Sequence, residues 1–168
     1  MLPERSRRDK TLFPVASWVD YMNIEKATLT DVPQLSDLLS VLFAQEQEFV
    51  PNPEAQIRGL TRILRQPELG FILLARDNGQ VVGMVNILFT ISTALGERVA
   101  LLEDMVVRAE VRGSGIGSKL LARAIELARL AGCRRVTLLT DQNNVSAQQF
   151  YQRQGFVISS MMPLRLSL

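Results

Sequence analysis

Leu101-Leu102-Glu103-Asp104-Met105-Val106-Val107, then Arg108-Ala109-Glu110-Val111, then Arg112-Gly113-Ser114-Gly115-Ile116-Gly117: this stretch decides the fold. The first segment is apolar on both faces apart from its two acids, the pattern of a central, buried strand. The glycines crowd the start of a segment in which Ile116, Leu120, Ala124, Leu127 and Ala131 recur at helical spacing. Glycines at a helix start leave backbone N–H groups open, and the helix dipole favours a phosphate or pyrophosphate there. The stretch therefore predicts a strand, a tight bend and a helix whose first turn binds a phosphate-bearing molecule, with carboxylates one strand away.

The spacing narrows the ligand. A Walker loop needs Gly-Lys-Ser/Thr after its spacer, and here Lys119 follows Ser118. A dinucleotide fingerprint needs G-x-G-x-x-G, and here the glycines run G-x-G-x-G. The pattern R-x-x-G-x-G is met by Arg112, Gly115 and Gly117. It resembles the coenzyme A pyrophosphate loop of the GNAT N-acetyltransferase superfamily. Asn144-Val145-Ser146-Ala147-Gln148-Gln149-Phe150-Tyr151-Gln152-Arg153-Gln154-Gly155-Phe156 resembles the other signature of that family, N-x-x-A-x-x-F-Y followed by x-x-x-G-F. The resemblance covers about Asn23 to Leu168, with both motifs in family order. One departure is that Arg108-Ala109-Glu110 stands where many members carry a proline, which the glycine-loop chemistry does not require.

Working outward, 168 residues suffice for one domain with a real core. A net charge of +2 and the lack of a basic run interleaved with aromatics argue against nucleic acid. One cysteine, Cys133, excludes an intrachain disulfide framework, makes a reducing, cytoplasmic setting the default, and reads as a structural thiol. The absence of histidine excludes serine–histidine and cysteine–histidine catalysis and most zinc sites, so no metal is expected. No apolar stretch nears the roughly 20 residues that span a bilayer, and no membrane partner is expected. Residues 1–21 read as an N-terminal extension, with Leu12, Phe13, Val15, Trp18 and Tyr21 apolar enough to pack on the domain or on a neighbouring subunit. Residues 22–168 read as the domain proper, and a homodimer stays open.

Asn23–Thr28 reads as a first strand. A helix follows with Asp31 as N-cap and Pro33 early in it, then a second over about Glu54–Leu64. Phe71–Ala75 and Val81–Thr90 form a hairpin across Asp77-Asn78-Gly79-Gln80. Arg98–Val107 and Arg134–Leu139 are strands around the glycine-loop helix, and short strands are expected near Phe156–Ile158 and Leu164–Leu166. The fold class is α/β (α+β): a single GNAT-like domain, a mixed central sheet flanked by helices.

The resemblance implies acetyl transfer from acetyl-CoA to a primary amine. It implies pyrophosphate contacts from Arg112, Gly113, Ser114, Gly115, Ile116, Gly117 and Ser118, where the alternative for Arg112 is a solvated charge and Ser118 could equally cap the helix. It implies pantetheine contacts from the backbone of Met105, Val106 and Val107, where family members splay two strands. Asn144 suits an N-cap and, in the family, also touches the pantetheine. Tyr151 is the candidate general acid, since a phenol of pKa about 10 can protonate a thiolate whose acid lies near about 8.5; its alternative is a core tyrosine. Glu103 is the candidate base, against a structural carboxylate. Strand alternation is expected to point Glu103 and Asp104 to opposite faces, so that they cannot share a role. Ser92–Gly96, Leu102–Asp104 and the glycine loop look most like diamine (polyamine-type) acetyltransferases, which suggests a small-molecule amine. Gln45-Glu46-Gln47-Glu48 lies where the family builds its acceptor wall. A protein N-acetyltransferase and a non-catalytic coenzyme A sensor are the alternatives.

Overall fold

The computed structural model describes residues 23–46 and 48–168; the arm 1–21, Met22 and Gln47 lie outside the described residues. The chain divides into two compact units, one up to Leu138 and one from Leu139 to Leu168. In the first, β1 (Asn23–Lys26), β2 (Gly70–Asp77), β3 (Gln80–Ser92), β4 (Glu97–Val107) and β5 (Val136–Leu138) form one sheet in that order. All neighbours are antiparallel except β4 and β5, which are parallel because helix α3 (Ile116–Leu130) carries the chain back between them. The mixed sheet with flanking helices is the architecture expected from sequence. No described helix is long and apolar enough to cross a membrane.

Local chemistry sets the element ends. Asn78 and Gly79 both take positive φ, 48° and 81°, as a two-residue hairpin turn requires. Helix α1 (Val32–Phe43) carries Pro33 in its first turn, and α2 (Pro53–Arg65) starts on Asn52, whose side chain accepts from the Ala55 N–H at 3.1 Å. The entry to α1 is pinned by Asp31, which accepts from the Thr28 N–H (2.8 Å) and from Arg76 Nη2 (2.7 Å). Burial works against that carboxylate, but the Thr28 and Arg76 hydrogen bonds outweigh it and hold Asp31 below its usual range.

Two cores result. Val32, Leu35, Leu38 and Leu39 of α1 and Leu60 of α2 cover one sheet face, on Ile72, Leu74, Met84 and Val106. On the opposite face α3 buries Ile116, Leu120, Leu121, Ala124 and Ala128. The close approach there is marked by Gly83, where an added Cβ would lie 3.1 Å from Leu120 Cδ1. The second unit contains α4 (Val145–Arg153). The strands expected at Phe156–Ile158 and Leu164–Leu166 are not formed: residues 156–168 carry no strand, and Val157, Ile158, Leu164 and Leu166 are exposed. An apolar run becomes a strand only where a partner ladder takes its N–H and C=O groups, and no described strand pairs with these residues.

Gly70 opens β2 opposite Leu88, at φ 154°, and a Cβ there would run into the Ile87 carbonyl oxygen. Gly70→Ala is expected to lose at least about 2 kcal/mol of unfolding free energy, from the clash and the strained φ together. Urea denaturation checks this; a variant as stable as the parent would mean that β2 and β3 separate there without cost.

Candidate active site

The pairing of β3 with β4 is not regular. Asn86 faces Asp104, but Ile87 faces Leu102, so Glu103 is one residue too many in β4. Such a bulge breaks strict alternation and bends the strand. It corrects the expectation that Glu103 and Asp104 point to opposite faces: both line the same cavity, on the α1/α2 side of the sheet. Glu103 is exposed and Asp104 is buried, so the two acids share a site in different surroundings.

The cavity measures about 380 Å³. Its walls include Phe43, Phe49, Leu60, Ile63 and Leu88, and its polar lining includes Asn52, Gln56, Asn86, Glu103 and Asp104. Asn86 Nδ2 donates to Asp104 Oδ2 at 2.9 Å, while Asn86 Oδ1 is buried without a partner among the described residues. Gln56 Oε1 accepts from Ser36 Oγ (3.1 Å) and Ser40 Oγ (2.9 Å), while its Nε2 is likewise buried and unpartnered. Burial pushes the Asp104 carboxyl up to about 6; the Asn86 hydrogen bond opposes that rise and the neighbouring Glu103 charge adds to it. Neither Glu46 nor Glu48 is among the lining residues; that side of the cavity is built by Phe43, Phe49 and Val50. Gln56 and Asn86 were missed at the level of sequence. Asn86 did leave a signal, as the one amide in the apolar run Val81–Leu88.

Beyond the bulge, β4 leads to the glycine loop. The Arg108 N–H bonds to the Val82 carbonyl, so alternation turns Val106 toward β3 and turns Met105 and Val107 to the other edge. Among the described residues, ladder pairing on that edge stops at Leu102 with Leu138. Arg112 Nε donates to the Val107 carbonyl oxygen at 2.8 Å and clips the bend, and Ser114 Oγ closes it onto the Val111 carbonyl at 2.6 Å. Gly113 and Gly115 hold φ 77° and 93°, the left-handed region. Gly115 is the N-cap of α3 and brings no side chain to the first-turn N–H groups of Ile116, Gly117 and Ser118, and no acid sits in that turn. The first-turn N–H groups have no side-chain cap, the dipole is positive there and no acid sits in that turn, so this loop fits a pyrophosphate.

The second unit holds the remaining candidates. Asn144 Oδ1 accepts from the Ala147 N–H at 3.1 Å and caps α4. Tyr151 is half-buried, its ring 5.2 Å from Phe150 and 5.7 Å from Phe156. Helix α4 ends in a Schellman motif: Gly155 at φ 93° bonds to the Gln152 carbonyl, and the Phe156 N–H bonds to the Tyr151 carbonyl. The Tyr151–Phe156 contact is the apolar contact that accompanies such an ending. Glu103 and residues 105–118 thus belong to the first unit, and Asn144 and Tyr151 to the second.

A family model described as the acetyltransferase (GNAT) family matches residues 33–156. The chain belongs to this family. It is 30% identical over 150 residues to the aminoalkylphosphonate N-acetyltransferase of Salmonella typhimurium, covering 89% of this chain and 90% of the relative. It is 28% identical over 138 residues to an N-acetyltransferase of Bacillus subtilis whose acceptor is not named, covering 80% and 89%. Among solved structures, an integron cassette protein from the mobile metagenome of Cole Harbour Salt Marsh superposes with a TM-score of 0.76 at 29% identity, over 86% of this chain and 90% of that one. The chain is an acyltransferase, an N-acetyltransferase with acetyl-CoA as donor.

In this acetyltransferase the acid pair sets a stability cost with a defined pH window. A carboxyl at about 6 when folded and about 3.8 when unfolded binds more protons in the folded state between those values. Stability therefore falls as pH rises through that window and stays lower above it. About two units correspond to roughly 3 kcal/mol. Asp104→Asn keeps an acceptor for Asn86 and has no charge to bury, so its stability relative to the parent should rise by about that amount between pH 4 and pH 8. Parallel denaturant titrations at the two pH values check it; an unchanging difference would mean that Asp104 titrates as an ordinary carboxyl.

Proposed function

We propose that this chain moves an acetyl group from acetyl-CoA directly to the primary amine of a small molecule. The supporting observation is the cavity in which Glu103, Asp104 and Asn86 stand together against apolar walls, at the bulge of the strand that leads into the glycine loop. A pocket of about 380 Å³ has the dimensions of a small-molecule site. The Salmonella typhimurium relative, named for aminoalkylphosphonates, supports a small amine as acceptor class.

When bound, acetyl-CoA supplies an acetyl group activated as a thioester. In this reading the backbone N–H groups from Gly113 to Ser118 hold its pyrophosphate, with Arg112 adding charge. The outward-turned backbone of Met105 and Val107 holds the pantetheine arm, and Val106 positions the strand between them; the second motif supports a pantetheine contact for the Asn144 side chain. An alkylammonium, with a pKa of about 10, has no lone pair to react and must first lose a proton. Asp104 and Asn86 grip the ammonium. Glu103, the exposed member of the pair, takes the proton on its carboxylate and passes it to water. Tyr151 Oη is the proton donor for the departing thiolate, a role supported by its place in the second motif. Direct transfer without an acetylated side chain is supported by the lack of histidine and by Cys133, whose thiol is buried and pushed up by that burial, with Arg98 opposing.

Tyr151→Phe keeps the ring against Phe156 and removes only the hydroxyl. If Tyr151 is the acid, kcat should fall roughly 100-fold or more while acetyl-CoA affinity, read by calorimetry, is nearly unchanged. An undiminished kcat would leave Tyr151 as the apolar contact of a helix end.

Glu103→Gln tests the base with a pH–rate profile on the best of a panel of primary amines. Activity should drop most near neutral pH, where the amine is charged, and recover as pH nears the amine's own pKa. In the parent, kcat/KM should also decline as pH falls below about 6, where Asp104 takes up a proton. A loss in Glu103→Gln that is equal at every pH would make that residue structural.

A further inference from the structure

The cavity beside the acid pair also has a far side, and its chemistry constrains the amine. Resting on the proposed amine acetylation, we infer that the acceptor is a primary monoamine with an aromatic or branched apolar body, and not a diamine or an aminophosphonate. At one end, Glu103, Asp104 and the unpartnered Oδ1 of Asn86 offer three acceptors, the number of N–H bonds on a primary ammonium. Asn86 is 2% exposed, so its oxygen is dehydrated and left for a donor that the described residues do not supply. The rest of the described lining is mostly apolar, with Phe43, Phe49, Leu60 and Ile63 beside the neutral amides of Asn52 and Gln56, and the rings of Phe43 and Phe49 stand 5.4 Å apart, tilted at 45°. That wall suits a ring or branched chain, which aromatic edges and faces can enclose.

Charge excludes the two other classes. Among the described residues the acids lining the cavity are Glu103 and Asp104, adjacent in sequence, so the second ammonium of a diamine would meet mostly apolar walls and neutral amides and lose hydration without a counter-charge. A phosphonate needs a cation or several N–H donors, and none of the described residues lining the cavity is lysine or arginine. The one unsatisfied donor there, Gln56 Nε2, suits a neutral oxygen on the body and not a dianion.

The test compares phenethylamine, 1,4-diaminobutane and 2-aminoethylphosphonate at saturating acetyl-CoA, reading thiol release. Enclosing a phenyl ring against enclosing a charge predicts a kcat/KM for phenethylamine at least about 30-fold above either competitor. A diamine or aminophosphonate used as well as or better than phenethylamine overturns this inference and leaves the proposed amine acetylation standing. Release with none of the three overturns both. A second variant keeps the comparison independent of core stability. Val50 lines the cavity and is 85% exposed, so Val50→Glu adds a carboxylate on the far side without disturbing the core. It should raise kcat/KM for 1,4-diaminobutane about threefold, the scale of an exposed ion pair, and lower it for phenethylamine. No change in the ratio of the two would place the acceptor's body elsewhere and overturn the inference.

Discussion

The extra residue in β4 is the constraint on which the site depends. In a regular ladder Glu103 would share the face of Met105 and point toward α3, where Leu120 and Ala124 leave no water for a carboxylate. The bulge moves it beside Asp104 without moving Val106 out of the other core. The same slip changes the direction of the backbone. Ala100 bonds across to Arg135 on the β5 side, whereas Arg108 bonds to Val82 on the β3 side. One inserted residue thus sets two like charges on one cavity and turns Met105 and Val107 toward the edge that β5 leaves at Leu138. The arrangement is unfavourable to the fold, since burial dehydrates the Asp104 carboxylate and the neighbouring Glu103 charge adds to the rise in its pKa. A sheet selected for stability alone would fill those positions with Val or Ile.

Much of this fold was legible because its ends are marked by residues with a mechanism. Asn78-Gly79 marks a tight hairpin turn, Pro33 sits in the first turn of its helix, and the glycines before Ile116 open α3. The bulge was not legible. Strand β4 is apolar on both faces, so its period-two signal is silent about parity, and a slip of one residue leaves the pattern unchanged. Asn86 stood out as an amide among Val81–Leu88, but its partner lies 18 residues away across a hairpin whose register depends on that slip. The apolar tail misled for the converse reason. Residues 156–158 are a continuous apolar run and 164–166 alternate, as strands can, yet a strand is a property of two segments, and sequence shows only one.

The second motif has two layers of meaning. Its F-Y-x-x-x-G-F spacing places Tyr151, Gly155 and Phe156 where a Schellman ending needs a carbonyl, a left-handed residue and an apolar partner. Part of what makes the motif recognisable is therefore a rule for stopping a helix, and it would be met by phenylalanine as well as by tyrosine. The hydroxyl is the one atom of Tyr151 that this rule does not require, so any chemical role of Tyr151 rests on Oη alone.

The helix starts carry the complementary lesson. Helices α2 and α4 each begin on an asparagine whose Oδ1 takes an N–H of the first turn. Helix α3 has fifteen residues and the largest stake in a cap, yet it begins on a glycine with no side chain to offer. Replacing that cap with Gly115 alone would cost little, because glycine is tolerated at an N-cap. What no packing argument asks for is the neighbour: Gly113 is left-handed and exposed, and among the described residues nothing beyond its chain neighbours lies within 4 Å of its absent Cβ, so no described group requires it to be bare. Two left-handed glycines in three residues hold the amides of the turn on one concave side, as backbone nests for anions do. Helices α2 and α4 carry an asparagine cap, whereas α3, which follows the acid pair, begins without a side-chain cap.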